Sequence, residues 1–232
     1  MHCPGRAVAP TPRDRQSGRI ALVVRSHRTG LTHSIVAVAA TLGAPAAARA
    51  DFILDSFNSP SPGTLYFVSF SNTNPYTQID KGIAPGVDRT VTVKVNEPPL
   101  NPTSANGTIG GGTLVVNSDT ASSVTTELSY ALSGAAGNLS GATGLQLGFL
   151  SFDVGTGFST TPITIDIVTA TGTLTTTMAA PGSTVPYNQS FAFGSFTGTG
   201  DLSQVNTIRI MINGGASPQT AGDFALDEIQ GR

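Results

Sequence analysis

The residues able to do chemistry in this chain are few, and carboxylates lead them. Asp-Phe-Ile-Leu-Asp-Ser-Phe at 51–57 and Asp-Phe-Ala-Leu-Asp-Glu-Ile at 223–229 each set two acids four apart around a Phe and a Leu. Should Asp51, Asp55, Asp223 and Asp227 converge, with Glu228 beside them, they offer the hard oxygen ligands that Ca²⁺ prefers. A structural calcium is the one cofactor this pattern suggests. The competing reading is plainer: acids near strand ends solvate sheet edges and discourage edge-to-edge association. No Asp/Asn loop with EF-hand spacing occurs to favour the ion.

The other acids stand apart. Glu97 and Glu127 are isolated, and Asp153 (in SFDVG) and Asp166 (in TIDIV) sit singly in strand-like runs. Asp166, between Ile165 and Ile167, is expected to face solvent or a neighbouring Thr or Lys. Hydrolysis of a glycosidic bond takes two facing carboxylates about 5–9 Å apart, and no such pair announces itself. A carboxylate-only glycoside hydrolase is therefore an alternative with no assigned catalytic residue. Further chemistry is excluded by composition. Cys3 is the only cysteine, the histidines are His2, His27 and His33, and the chain has no Trp. Beyond residue 50 there is no thiolate nucleophile, no disulfide, no imidazole zinc ligand and no Ser-His-Asp triad.

Aromatic faces are the remaining option for ligand binding. Of Tyr66, Tyr76, Tyr130 and Tyr187, two fall beside turn formers: Tyr76 in NTNPYTQ and Tyr187 in TVPYNQ. Both are candidates to stack on a sugar ring, and both could equally pack on a nearby Pro while the hydroxyl bonds the chain. The Gly-rich GTIGGGT at 107–113 lacks phosphate-loop spacing and a following Lys, and it precedes a strand-like run, so it reads as a tight turn or bulge.

The elements that must position these groups are strands. Apolar and small polar residues alternate with period two in TVTVKV (Val91, Val93, Val95), ITIDIV (Ile163, Ile165, Ile167) and TIRIMI (Ile208, Ile210, Ile212). Similar runs lie near 64–70, 113–118, 124–132, 145–154, 172–178 and 189–196, and with the two ends they make about eleven strands. Turn formers punctuate them throughout, and NEPPLNPTSANG, the longest break, reads as a connection between sheets. The fold class expected is all-β: an antiparallel β-sandwich, jelly-roll-like, as one domain over 51–232. In it the terminal heptads pair antiparallel, Phe52 and Leu54 facing the core opposite Asp51, Ile53, Asp55 and Phe57. Likewise Phe224 and Leu226 oppose Asp223, Ala225, Asp227 and Ile229.

Residues 1–50 read differently. Arg19, Arg25 and Arg28 precede the apolar run Ile35 to Ala44, and Ala48-Arg49-Ala50 follows, the order of a secretory signal peptide behind a polar N-terminal extension. The run is only about half the roughly twenty residues a membrane span needs. Cleavage after Ala50 would leave Asp51 first and an exported product. The leader carries seven of the twelve basic residues; the remainder holds five against thirteen acids. A surface so acidic argues against nucleic acid and against anionic lipid as partners.

The order DRTVTVKV, GTIGGGTLVV, a long middle and a terminal D-F-x-L-D-x-I resembles the secreted single-domain β-sandwich proteins of environmental bacteria, many of which carry a PEP-CTERM sorting tail. This chain ends in DEIQGR, without a Pro-Glu-Pro box or apolar span, so sorting by such a tail is not expected. The resemblance implies a jelly roll similar to carbohydrate-binding modules and an exported location, and it carries over no catalytic residue. The resulting expectation is a secreted, non-catalytic binding module with polysaccharide as partner. A self-associating surface or matrix protein is the alternative.

Overall fold

A computed structural model describes residues 51–58, 64–68, 75–96, 105–118, 123–155, 158–214 and 223–232. The expected leader and Glu97 lie outside them, as does the side chain of Tyr66. Fourteen strands are present among the described residues, in two antiparallel sheets. The first sheet has the order β11 (Tyr187–Ala192), β8 (Gly144–Asp153), β14 (Asp223–Gly231), β6 (Thr113–Ser118), β5 (Ala105–Gly110) and β2 (Thr64–Val68), with β1 (Phe52–Asp55) added to β14. The second runs β12 (Thr197–Gly198), β10 (Thr173–Pro181), β9 (Thr160–Thr169), β13 (Val205–Ile212), β7 (Val124–Leu132), β4 (Val87–Val95) and β3 (Tyr76–Ala84). The chain changes sheet between β4 and β5, as expected of NEPPLNPTSANG, and also between β2 and β3, β6 and β7, β7 and β8, β8 and β9, β10 and β11, β11 and β12, and β13 and β14. This is the jelly-roll-like sandwich expected. No described helix is long and apolar enough to cross a membrane; the only helical turns described are Gly134–Gly137 and Phe193–Ser195.

Period-two burial builds the core. Val91, Val93, Ile163, Ile165, Ile167, Ile208 and Ile210 of the second sheet are fully buried, opposite Leu114, Val116, Leu147, Leu226 and Ile229 of the first. Branched side chains suit this pleated, half-buried surface because their stiff χ1 angles lose little on packing. The outward phase of the second sheet is tied by short cross-strand contacts. Thr164 and Thr177 meet hydroxyl to hydroxyl at 2.9 Å, and Thr175 donates to Asp166 at 2.8 Å. Asp166 thus faces a neighbouring Thr, as its flanking isoleucines imply.

Three strands escape the alternation rule. β3, YTQIDKGIA, lies on a sheet edge with most of its residues at least partly exposed, so no apolar rhythm marks it. β5 is short and glycine-rich, and β12 has two residues. GTIGGGT closes the β5–β6 hairpin through Gly111 (φ 60°) and Gly112 (φ 86°), the positive pair of a primed two-residue turn.

Candidate functional site

The terminal strands do pair antiparallel, but β1 meets the end of β14 and touches the second heptad only at Ile229. Phe52 lies opposite Gly231, Ile53 opposite Gln230 and Asp55 opposite Ile229. Asp51 therefore sits beside the far end of β14, whereas Asp223 begins that strand, about 26 Å away at roughly 3.3 Å per residue. Asp227 is exposed. Among the described residues no three His, Cys, Asp or Glu side chains gather as a metal site, so the convergence of Asp51, Asp55, Asp223 and Asp227 expected from the twin heptads is not found.

Bulges also correct the expected facing. The register shifts between Ile53 and Asp55 in β1 and between Leu226 and Glu228 in β14. One inserted residue reverses the side-chain phase. Asp55 and Phe57 turn inward instead of outward, at 4% and 1% exposure, and Ile229 is buried with Phe224 and Leu226. Phe57 holds φ 51°, a left-handed angle rare for a bulky side chain, with its N–H donated to Asp55 Oδ1 at 2.8 Å.

Asp55 enters a buried charge cluster between the sheets. Arg89 of β4 donates through Nη1 to both Asp55 oxygens at 2.9 and 2.8 Å, and through Nε and Nη2 to Asp80 Oδ2 at 3.1 and 2.7 Å. Tyr130 of β7 donates its hydroxyl to Asp55 Oδ2 at 2.9 Å, Gln78 donates to Asp80, and the guanidinium lies 5.4 Å from the Phe57 ring centre. Burial alone would push the Arg89 guanidinium down; Asp55 and Asp80 more than reverse this and hold it above its ordinary value. Burial, then the Asp55 charge, drives the Tyr130 phenol well above its usual range. The cluster clamps β1 to the second sheet. It is saturated with internal partners and closed to solvent.

Tyr76 and Tyr187 occupy opposite edges of the sandwich. Tyr76, 40% exposed, opens β3 at the end of one sheet; Tyr187 opens β11 at the end of the other, and β11 lies against β10 while β3 lies against β2. Tyr187 stacks on Phe149 (centroids 5.4 Å apart, 21° between planes) and donates its hydroxyl to the Pro181 carbonyl at 3.1 Å. Burial raises its phenol to about 12. These two rings do not share a groove.

A polar row instead follows β8 along the outward face of the first sheet and opens into a cavity at one end. At one end Gln146, itself nearly buried, donates to Ser190 at 3.1 Å and accepts from Gln230 at 2.8 Å and from Arg232. One row further on, Gly148 lies between Asn188 of β11 and Glu228 of β14. A Cβ placed there would come within 3.4 Å of Asn188 Oδ1 and 3.6 Å of the Glu228 carbonyl, so the missing side chain leaves a low floor. Neither the Asn188 amide nor the Glu228 carboxylate bonds another side chain among the described residues. A bulge then leaves Leu150 unpaired with β14 and 39% exposed. At the other end a cavity of about 550 Å³ is lined by Ser151, Asp153, Ser183, Thr184 and Asp223 together with Phe152, Val154 and Gly182. Asp153 and Asp223 lie opposite one another there; Asp153 accepts from the Gly155 N–H at 3.0 Å, and Asp223 from the Ser118 N–H and hydroxyl.

From Gln146 to Asp153 this trough-like row runs about 23 Å at roughly 3.3 Å per residue. Amides, hydroxyls and carboxylates over a floor with small and apolar patches are the groups that read polyols. The sequence hides this because outward polar residues on a strand look like any solvated face.

No family model and no curated protein matches the chain. Among solved structures it is similar to the family 11 carbohydrate-binding module of the cellulosomal cellulase Lic26A-Cel5E of Clostridium thermocellum, with 15% identity, 79% of this chain and 95% of that one covered, and a TM-score of 0.42. It is also similar to TmCBM61, solved in complex with β-1,4-galactotriose, with 15% identity, 69% and 90% coverage and a TM-score of 0.33. Likeness at this distance lends the chain neither ligand nor site.

Proposed function

We propose that this chain is an exported, non-catalytic polysaccharide-binding module, and that the trough along β8 holds the glycan. The observation carrying this reading is the row Asn188–Gly148–Glu228: a free amide and a free carboxylate face each other across a floor with no side chain, in the middle of an open track. Sugar hydroxyls both donate and accept, and such a pair answers both roles. Catalysis is not part of the proposal. Asp153 and Asp223 lie opposite one another, but each already accepts a main-chain N–H, from Gly155 and from Ser118, and so is tied to its own strand end. Export agrees with the leader expected at residues 1–50.

Affinity electrophoresis of the full chain in gels containing soluble polysaccharides tests this directly. Retardation by at least one polymer, lost in an Asn188→Ala/Glu228→Ala double variant with unchanged melting, is the expected result. Equal mobility in every gel would end the proposal.

A further inference from the structure

Resting on that reading, we infer that the trough selects an uncharged glycan, one sugar of which lies on Gly148 between Asn188 and Glu228. Two observations lead there. The first is steric. Gly148 does not hold a positive φ, and a Cβ would meet its neighbours only at ordinary van der Waals distance, so nothing in the backbone demands glycine. A glycine in the interior of a long strand weakens it and often marks a place where a ligand approaches the main chain. Asn188 and Glu228 flank Gly148 in register, with Asn188 Oδ1 3.4 Å from where a Cβ would stand, so a hydroxyl of a sugar on Gly148 comes within reach of the amide. Tyr187 offers no platform to this face, being stacked inward on Phe149.

The second is electrostatic. Glu228, Asp153 and Asp223 line the trough, against Arg232 at one end, whose Nη2 is already bonded to Gln146. The basic groups Lys81, Arg89, Lys94 and Arg209 all lie on strands of the second sheet. A uronate or sulfated polymer would bring like charge onto this face and desolvate carboxylates without compensation. A neutral sugar's hydroxyl meets each carboxylate as a donor.

The test uses the full chain, low ionic strength to avoid screening, and EDTA to prevent calcium bridging. Gels carry β-1,3-1,4-glucan or β-1,4-galactan on one arm and polygalacturonate on the other. The expected result is retardation on the neutral arm only. Gly148→Val, whose branched side chain suits a strand, should weaken neutral-arm binding by about tenfold or more with an undiminished melting temperature. If that variant fails to fold, Glu228→Gln, on the surface, takes its place and should weaken neutral binding without admitting polygalacturonate, the other acids remaining. Retardation by polygalacturonate alone overturns the inference while leaving a glycan-binding module standing. Wild-type affinity in folded Gly148→Val overturns the central subsite. Retardation by no polymer overturns the reading beneath both.

Discussion

The buried cluster around Arg89 and the open trough along β8 are made from the same kinds of group, a guanidinium, carboxylates and amides, yet they do opposite things. In the cluster every charge has an internal partner: Arg89 is shared between Asp55 and Asp80, and Tyr130 and Gln78 supply further donors. In the trough Asn188 and Glu228 face one another with their hydrogen-bonding capacity unused. Saturation and burial decide the role. A polar group with all its bonds made inside the chain holds the fold, and one left open on a shaped surface is able to hold something else.

The largest effect should come from breaking the cluster. Arg89→Met leaves Asp55 and Asp80, 4% and 6% exposed, as two buried carboxylates without a cation. Removing one partner of such a group costs about 3–5 kcal/mol, a large part of the roughly 5–15 kcal/mol that holds a domain. Guanidinium melts should show the midpoint collapse. Replacing all three charges together, as Asp55→Leu/Asp80→Leu/Arg89→Met, should recover much of the loss, since an apolar substitute of similar volume needs no pairing. A cost below about 1 kcal/mol for Arg89→Met would show that the cluster does not clamp β1.

How much of this was legible from the sequence follows the same division. Pairing of the terminal strands could be read because Phe52, Leu54, Phe224 and Leu226 keep period two up to the bulges. The inward turn of Asp55 could not, because a bulge is a single extra residue with no compositional mark. Arg89 did carry a signal that went unused: in VDRTVTVKV it shares its phase with Val87, Val91, Val93 and Val95, so strict alternation already places it on the core side. β3 was hidden because an edge strand needs no apolar rhythm. The trough was hidden because Gly148 becomes a floor only once Asn188 and Glu228 are brought beside it, from 40 and 80 positions further along the sequence.

Alkaline pH strains the cluster side more gently. An unfolded Tyr ionises near 10.0, but burial lifts Tyr187 to about 12 and Tyr130 well above its ordinary value. Folded chains therefore keep protons that unfolded chains release. Stability from these groups is complete below pH 10 and falls as pH rises through the window up to about 12. Denaturant midpoints measured at pH 9 and pH 11 should drop at the higher value, and Tyr187→Phe should flatten part of that slope. That variant also loses only the bond to the Pro181 carbonyl, about 1 kcal/mol at neutral pH. A midpoint that rises between the two pH values would contradict the direction.

The smallest effect sharpens the contrast most, because distance is held constant. Arg209 meets Glu127 at 2.7 Å on the outward face of the second sheet, the same separation as Arg89 and Asp80. Yet the Arg209 and Glu127 side chains are 42% and 30% exposed, against 1% and 7% for the buried pair. Contact with Glu127 holds the Arg209 guanidinium above its ordinary value, and solvent screens what that contact is worth to stability. Glu127→Gln should therefore cost no more than about 1 kcal/mol, and less in 1 M salt, whereas Asp80→Asn, which takes a charge from buried Arg89, should cost several-fold more and respond little to salt. Equal losses from the two substitutions would mean that proximity, and not enclosure, sets the strength of these pairs.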